Sequence, residues 1–545
     1  MNIGIDFDNT IARYDALLAE VALEKGLVDK SWNGKGKTEL RDHLRRQPEG
    51  ETSWMKLQGR IYGKYMYRAQ LMPGVANFFL KCKLQGHKVF IVSHKTEFGH
   101  FDPERISLRQ EALKWMEAKG FFDPMYFSID RENVFFADTR YEKVNKVAEL
   151  QCDWFIDDLP EVFAEDSFPE CTQKVLFGQF DNTCLSNSVV PINNWSEVCS
   201  YVLGAATDQD VVLWSNLVLN DTVASVKKIV GRGNSRIYRL MMDSGSRMAL
   251  KHYPDRLSDS RPRLQTEYCA LSFLSEKSIN SVPKVIEKDE DLNIGLYEWI
   301  EGHPVIDPTL VDLRQALEFI KELHQLVGEI DEEDFPRASE ACLSAVDLIR
   351  QVEKRLNELA AVKEDYGDLY FFLEQIFIPM WKKVKEQSYS NWPVESRERH
   401  LPRKKQTLSP SDFGFHNVLK EDGKITFIDF DYFGWDDPVK LTADFLWHPA
   451  MVLKPQISAE WIKGMMQHFS VDPEFKKRLC AAMPLYGMRW AMIVLNEFLP
   501  GFAERRRNAG ETDSYDMDCA RRAQLQKAKR YCERVKNQDI VNSIH

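Results

Sequence analysis

Short apolar runs alternate with helical stretches along the first two hundred residues. The runs are Ile3-Gly4-Ile5, Lys88-Val89-Phe90-Ile91-Val92, Asn133-Val134-Phe135-Phe136, Trp154-Phe155-Ile156 and Lys174-Val175-Leu176-Phe177. Between the second and third, Leu108, Ala112, Leu113, Trp115 and Met116 recur at near-helical spacing, which predicts a crossover helix. The pattern predicts βα units around a parallel sheet, whose ligands sit at the carboxyl ends of the strands. From about residue 14 to 70 the alternation gives way to helical segments carrying Trp32, Arg41, Trp54, Arg60, Tyr62 and Tyr65, which reads as an inserted cap. Regularity fades around Gly204 to Asn220; residues 222–300 then read as hairpin-rich and 307–545 as mostly helical. The expected organisation is a first domain over 1–205, a linker over 206–221 and a second domain over 222–545.

A chain of 545 residues with 44% hydrophobic positions is too long for one ordinary core. Seventy-two Lys and Arg against 83 Asp and Glu give a net charge of −11, which argues against nucleic acid or anionic membrane as partners held by bulk charge. A phosphate-bearing ligand then needs a local site. The ten cysteines form no CxxC pair and lack the density of a disulfide-stapled domain. With no signal-like start and no run of ~18 apolar residues, a cytoplasmic protein is expected.

Asp6-Phe7-Asp8-Asn9-Thr10 follows the first strand, and alternation along a strand turns the carboxylates of Asp6 and Asp8 to the same side. Their repulsion is relieved by a hard divalent cation such as Mg²⁺, which makes both candidate metal ligands. The plainer reading is a turn and helix cap. Three further points along the chain carry matching groups: Ser93 after the second apolar run, Lys143 opening a helical stretch, and Asp157-Asp158 after Trp154-Phe155-Ile156. In this order the motifs resemble the haloacid dehalogenase-like phosphatase superfamily. The resemblance implies an α/β Rossmann-like parallel sheet domain with a helical cap. It further implies Asp6 as nucleophile, Asp8 as acid and base, Ser93 and Lys143 as phosphoryl ligands, and Asp6, Asp157 and Asp158 around Mg²⁺. Lys146 is the competing lysine; it lies nearly a helical turn further from the start of its helix.

Farther on, Gly231-Arg232-Gly233-Asn234-Ser235 reads as a glycine turn between strands, able to bring backbone N–H groups onto phosphates, although ordinary hairpins share that composition. Lys251 sits inside an apolar strand and needs an anionic partner, for which Glu267, sixteen residues on in a helical pattern, is suited. Leu296-Tyr297-Glu298-Trp299 follows as a connector offering groups to an adenine. Ser409-Pro410-Ser411-Asp412-Phe413-Gly414-Phe415-His416-Asn417, then Ile428-Asp429-Phe430-Asp431, complete the series. Here the chain resembles the aminoglycoside phosphotransferase and choline kinase-like small-molecule kinases. The resemblance implies an α+β protein-kinase-like two-lobed domain in which Asp412 is the catalytic base, Asn417 and Asp429 hold Mg²⁺, and Gly231, Gly233, Ser235, Lys251, Glu267 and Glu298 bind ATP. Pro410-Ser411 stand where that family usually has His-Gly.

Together the two resemblances imply a bifunctional enzyme: a phosphatase acting on a phosphorylated metabolite, fused to a kinase acting on a hydroxyl of a sugar or related compound. Two readings stay open beside it, one with a single active domain and the other a regulatory module, and one with a non-catalytic scaffold. If both halves acted on the same hydroxyl the net reaction would be ATP hydrolysis, so different positions or molecules are expected.

Overall fold

The computed structural model describes the chain except residues 30, 31, 33, 35, 103, 179–187, 220, 230–234, 255–258, 260, 332–333, 500–516 and 538–545. Gly231 and Gly233 lie outside the described residues.

The first unit is built on β1 (Asn2–Ile5), β4 (Lys88–His94), β5 (Val134–Ala137), β6 (Trp154–Asp157), β7 (Gln173–Phe177) and β8 (Val189–Ile192), ordered β5-β4-β1-β6-β7-β8. Every neighbouring pair is parallel. β1 lies inside the sheet, and Gly4 on it has a packing reason: a Cβ there would meet the Phe155 ring at 2.7 Å and Cys152 Sγ at 2.9 Å. β8 is an edge strand that the sequence reading missed. Pro191 interrupts its apolar run and cannot donate to a ladder, which an edge position tolerates.

Between β1 and β4 the chain leaves through β2 (Ala12–Arg13), forms α1 (Asp15–Glu24), α2 (Gly36–Arg45) and α3 (Gly50–Tyr62), and returns through β3 (Gln70–Leu71). β2 and β3 pair antiparallel, so the inserted helices stand on a two-stranded stem above the end of β1. After α4 (Val75–Leu84), the expected crossover helix is α5 (Leu108–Ala118), capped by Ser107. Next come α6 (Arg140–Glu149), capped by Thr139, then α7 (Pro160–Phe163) and α8 (Trp195–Leu203), capped by Asn194.

Residues 206–221, expected as a linker, hold a helix, α9 (Asp208–Leu219). Val211 and Trp214 on it are buried in one continuous core with Ile3, Phe78 and Trp195 of the first unit and with Tyr238, Leu240, Leu250 and Leu296 of the strands that follow. Those strands are β9 (Val223–Ile229), β10 (Arg236–Met242), β11 (Arg247–His252), β12 (Val285–Asp289) and β13 (Ile294–Glu298), an antiparallel sheet ordered β12-β13-β11-β10-β9. The junction is therefore packed. It is also pinned by polar contacts: buried Lys81 donates to the Gly204 and Ala205 carbonyls at 2.8 and 2.6 Å, and its ammonium lies 3.5 Å from Asp210.

Helix α10 (Arg263–Glu276) packs on that sheet, and the rest of the chain is largely helical around a second core that includes Phe319, Trp381, Trp435, Trp461 and Tyr486. Two small sheets interrupt the helices: β14 (His303–Pro304) with β16 (Val418–Glu421) and β17 (Lys424–Phe427), and β15 (Thr407–Ser409) with β18 (Gly434–Asp436). Among the described residues no helix is long and apolar enough to cross a membrane.

Candidate functional sites

The parallel register pairs Ile5 with both Ile91 and Ile156, and the Asp6 N–H extends the ladder to the Ile156 carbonyl at 2.9 Å. Asp6 and Asp157 thus leave adjacent strand ends, while Ser93 comes from β4 at the same end of the sheet. Lys143, in the first turn of α6, reaches between them, with its Nζ 2.5 Å from Asp6 and 2.6 Å from Asp157. Lys146 is turned away and bonds Glu149 on the surface. Burial disfavours the charge on Lys143, but the two carboxylates hold its pKa above the usual lysine value.

Oxygens of Asp6, Asp157 and Asp158 all lie within 4.8 Å of one another. Burial and then the neighbouring carboxylates push Asp6 well above the ordinary carboxylate range, against the pull of Lys143, and burial and Asp157 push Asp158 up to about 7. One lysine is not enough charge for this group, and an oxygen-ligated divalent cation fits it. Ser93 is fully buried and among the described residues its Oγ has no hydrogen-bond partner, as expected of a donor kept for a ligand.

Asp8, expected as a metal ligand, is not in that oxygen cluster. Lys95 donates to both its oxygens at 3.0 and 2.8 Å, and the Tyr14 hydroxyl donates to Oδ1 at 2.6 Å, so these partners hold it beside the cluster. The turn after it is made by Asn9, at φ 63°, whose side chain donates to Asp158 at 3.3 Å. Lys95 was missed in the sequence. Its one signal is that it stands two residues beyond Ser93 and so on the same side of an extended segment. Tyr14 and Tyr62, both on the inserted helices or their stem, pack edge to face at 4.8 Å over this side of the site.

In the second unit Lys251 on β11 donates to Glu267 of α10 and to Asp429, each at 2.6 Å. Tyr253 donates to the same Glu267 oxygen at 2.7 Å, and the Phe430 N–H donates to the other at 3.2 Å. Burial works against the Lys251 charge, yet Asp429 and Glu267 raise its pKa well above the usual value. Asp429 has φ 70°, a left-handed turn at the end of its segment. Asp431 is not beside Lys251 as a second partner; Arg263 holds it at 2.5 Å, and burial with the charge of Asp429 pushes it up to about 7.

Asp412 and Asn417 share one loop, tied by the Asn417 side-chain amide donating to the Asp412 carbonyl at 3.0 Å. That leaves the amide oxygen of Asn417 and a carboxylate oxygen of Asp429 as donors suited to a hard cation. Ser411, at the position where the family's glycine was expected, takes φ 66°, a conformation that costs a residue with a Cβ about 1 kcal/mol or more. Hydrogen bonds offset that strain: its N–H donates to Ser409 Oγ at 2.9 Å, its hydroxyl donates to the Ser339 carbonyl at 2.9 Å, and buried Lys440 donates to it at 2.8 Å.

His416 Nε2 lies 3.0 Å from Asp412 Oδ1 and His448 Nε2 3.5 Å from it. Burial opposes ionisation of Asp412, but the His416 hydrogen bond and the charges of both histidines hold its carboxyl well below the usual range. These three groups do not make a metal site as they stand. The imidazole rings are stacked 3.8 Å apart at 11°, so their in-plane lone pairs run side by side instead of converging. His448 caps the end of the helix Pro438–Trp447 and carried no local signal in the sequence.

Two further expected nucleotide ligands belong to the strands that flank β11. The Glu298 carboxylate ends β13 and accepts the Lys284 N–H at 3.2 Å on an exposed edge. Ser235 lies just before β10, with a buried hydroxyl that has no partner among the described residues.

Asp412 opens into a cleft of about 1090 Å³ whose walls come from both units: Ser411, Tyr432 and Lys440 on one side, and Arg13, Gln70 and Lys119 on the other.

Residues 225–478 match the phosphotransferase enzyme family, so the C-terminal part carries a domain of that family; the match does not extend to the N-terminal sheet. Among solved structures, an ethanolamine kinase from Plasmodium vivax is 11% identical over 61% of this chain and 93% of its own, with a TM-score of 0.40. A choline kinase from Cryptosporidium parvum is 13% identical over 58% of this chain and 91% of its own, with a TM-score of 0.38. A choline kinase from Streptococcus pneumoniae is 14% identical over 60% of this chain and 98% of its own, also at 0.38. No curated protein matches the chain.

Proposed function

We propose that the chain is a two-site, Mg²⁺-dependent phosphoryl-transfer enzyme: residues 222–545 move a phosphoryl group from ATP to a hydroxyl of a small metabolite, and residues 1–205 hydrolyse a phosphomonoester. The observation that carries the first half is the bridging of Lys251 to Glu267 and Asp429, with Asp412 and Asn417 on one loop nearby in the same family-matched segment. In this reading Lys251 neutralises nucleotide phosphates, and Asp412 orients the acceptor hydroxyl and accepts its proton. Asn417 and Asp429 would hold the cation, which would supply charge neutralisation to the phosphates. His416 and His448 hold Asp412 in its ionised form and fix its direction.

For the second half, the packed group of Asp6, Asp157, Asp158 and Lys143 supports a phosphate-handling centre. Asp6 attacks phosphorus, the P–O bond to the alcohol breaks, and Asp8 supplies the proton to the departing oxygen. The aspartyl phosphate is then attacked by water, whose proton returns to Asp8. Ser93 donates to a phosphoryl oxygen and Lys143 offsets the charge on it. Asp6, Asp157 and Asp158 hold the cation, which screens their charge from the incoming phosphate. The two substrates differ in molecule or in hydroxyl position, since otherwise the cycle only hydrolyses ATP.

The test is a metabolite panel with ATP and Mg²⁺, read by mass spectrometry for new phosphoesters, and a phosphosugar panel read for released phosphate. Asp412→Ala should remove only the first activity and Asp6→Asn only the second. ATP-dependent product formation that survives Asp412→Ala would refute the kinase assignment.

A further inference from the structure

The inserted helices bring one cation to the first site that has no carboxylate of its own. Lys37 lies in the first turn of α2, with its backbone N–H anchored on Asp15 Oδ1 at 3.1 Å. Its half-buried ammonium donates to the Tyr62 hydroxyl at 3.4 Å, and among the described residues no carboxylate oxygen lies within ion-pair distance of it. This partly desolvated ammonium has a hydroxyl as its hydrogen-bond partner and is held by the more distant charges of Asp158 and Asp8 instead of by an ion pair, so it keeps donors free for an anion.

The surroundings say where the missing charge belongs. Tyr62 is shared: Lys37 reaches its hydroxyl, while the Lys95 ammonium sits 4.7 Å from its ring centre. Lys95 is neutralised by Asp8. The carboxylates whose charge Lys37 feels, Asp158 and Asp8, have nearer partners in Asn9 and in Lys95 with Tyr14. Lys37 therefore stands over the Asp8 side of the centre, where the alcohol departs in the mechanism above. Ser93 and Lys143 stand at the reacting phosphoryl group in that mechanism, so an anion at Lys37 is a different one.

We propose that Lys37 binds a second anionic group, a carboxylate or a further phosphate, carried on the alcohol portion of the phosphomonoester hydrolysed at Asp6. This rests on the phosphatase reading of the first unit. Tyr62 then acts as a positioning residue between Lys37 and Lys95, and phosphoesters of neutral alcohols bind without using Lys37.

The test uses the full chain with Mg²⁺ and three probes: β-glycerophosphate, which has no second anion, 3-phosphoglycerate, which adds a carboxylate, and glucose 1,6-bisphosphate, which adds a phosphate. Calorimetric binding is measured in an Asp6→Asn background with Lys37, Lys37→Met and Lys37→Arg, and hydrolysis is measured in the parent chain. Lys37→Met should weaken at least one of the two doubly anionic probes by about tenfold, leave β-glycerophosphate unchanged, and be rescued by Lys37→Arg. Which probe responds identifies the anion. Equal weakening of all three would show that Lys37 serves the reacting phosphate, and no weakening would show that it serves neither; both overturn the proposal while leaving hydrolysis by the parent chain intact. Absence of Mg²⁺-dependent binding and hydrolysis for all three probes would instead bring down the phosphatase reading, and this inference with it.

Discussion

Each unit of this protein is centred on a buried lysine clamped between two carboxylates, and the two clamps are built in opposite senses. In the first, the lysine is on a helix and the acids are on strand ends: Lys143 of α6 bridges Asp6 and Asp157, with side chains 1%, 6% and 0% exposed. In the second, the lysine is on a strand and one acid is on a helix: Lys251 of β11 bridges Glu267 of α10 and Asp429, whose side chain is 36% exposed. The first clamp leaves surplus negative charge, and burial with the neighbouring carboxylates raises the proton affinity of Asp6 and Asp158. In the second, the surplus falls on Asp431, one step from the clamp and already paired with Arg263. Burial thus decides which site is electrostatically incomplete without a cation.

The widest separation between the two clamps should come from deleting their lysines. Lys143→Met strands two buried carboxylates and is expected to cost about 3–5 kcal/mol in urea unfolding. It should also lower phosphate release by at least about a hundredfold. Lys251→Met should lower ATP-dependent transfer at least as much but cost less stability, because water reaches Asp429. Equal stability losses would erase the distinction drawn from burial.

Next in size is the pH response. Asp158, with its pKa pushed up to about 7, binds a proton in the folded state that the unfolded chain releases above the ordinary carboxylate range. Stability of the metal-free protein should therefore be highest near pH 4 as far as this group is concerned, fall with rising pH at up to about 1.4 kcal/mol per unit, and level off above about pH 7. Mg²⁺ should compete with that proton, so its stabilisation, read as a shift in Tm, should grow from pH 6 to pH 8. Asp6→Asn should shrink both effects. A metal effect that does not change with pH would contradict this account of the cluster.

A smaller effect is expected at Ser411. Ser411→Ala keeps the strained left-handed backbone but removes the hydroxyl that joins Lys440 to the Ser339 carbonyl, at an expected cost of about 1–3 kcal/mol. The loss of transfer activity should exceed the loss of phosphate release, because the loop carries Asp412. The smallest effect belongs to Lys146→Ala. That lysine meets Glu149 and the Phe135 ring away from the carboxylate cluster, so stability should change by less than about 1 kcal/mol and phosphate release by less than about twofold.

Local chemistry was legible where one strand or one loop carries it. The five apolar runs were visible because parallel strands buried on both faces are continuous apolar stretches. Asp6, Ser93, Lys143 and Asp157 could be named because each follows or opens such an element. Asp412 and Asn417 are five residues apart on one loop, and Lys251 stood out as a charge inside an apolar strand. β8 was hidden by Pro191, and α9 by the polar run Asp208-Gln209-Asp210 at its start. The pairing of Asp8 with Lys95 was not legible, because the two are 87 residues apart in the chain.

By itself the sequence determined five of the parallel strands, the two sets of acidic and basic groups, and the side of each strand from which they emerge, since these follow from alternation and helical period within a few residues. Tertiary structure decided which carboxylates are neutralised and which are left in surplus, that the stretch between the units is a packed helix instead of a tether, and that His448, Lys95 and Lys37 belong to the sites at all. Those outcomes depend on distances across strands and helices far apart in the chain, and Coulomb and desolvation energies vary with such distances and with burial, neither of which sequence spacing encodes.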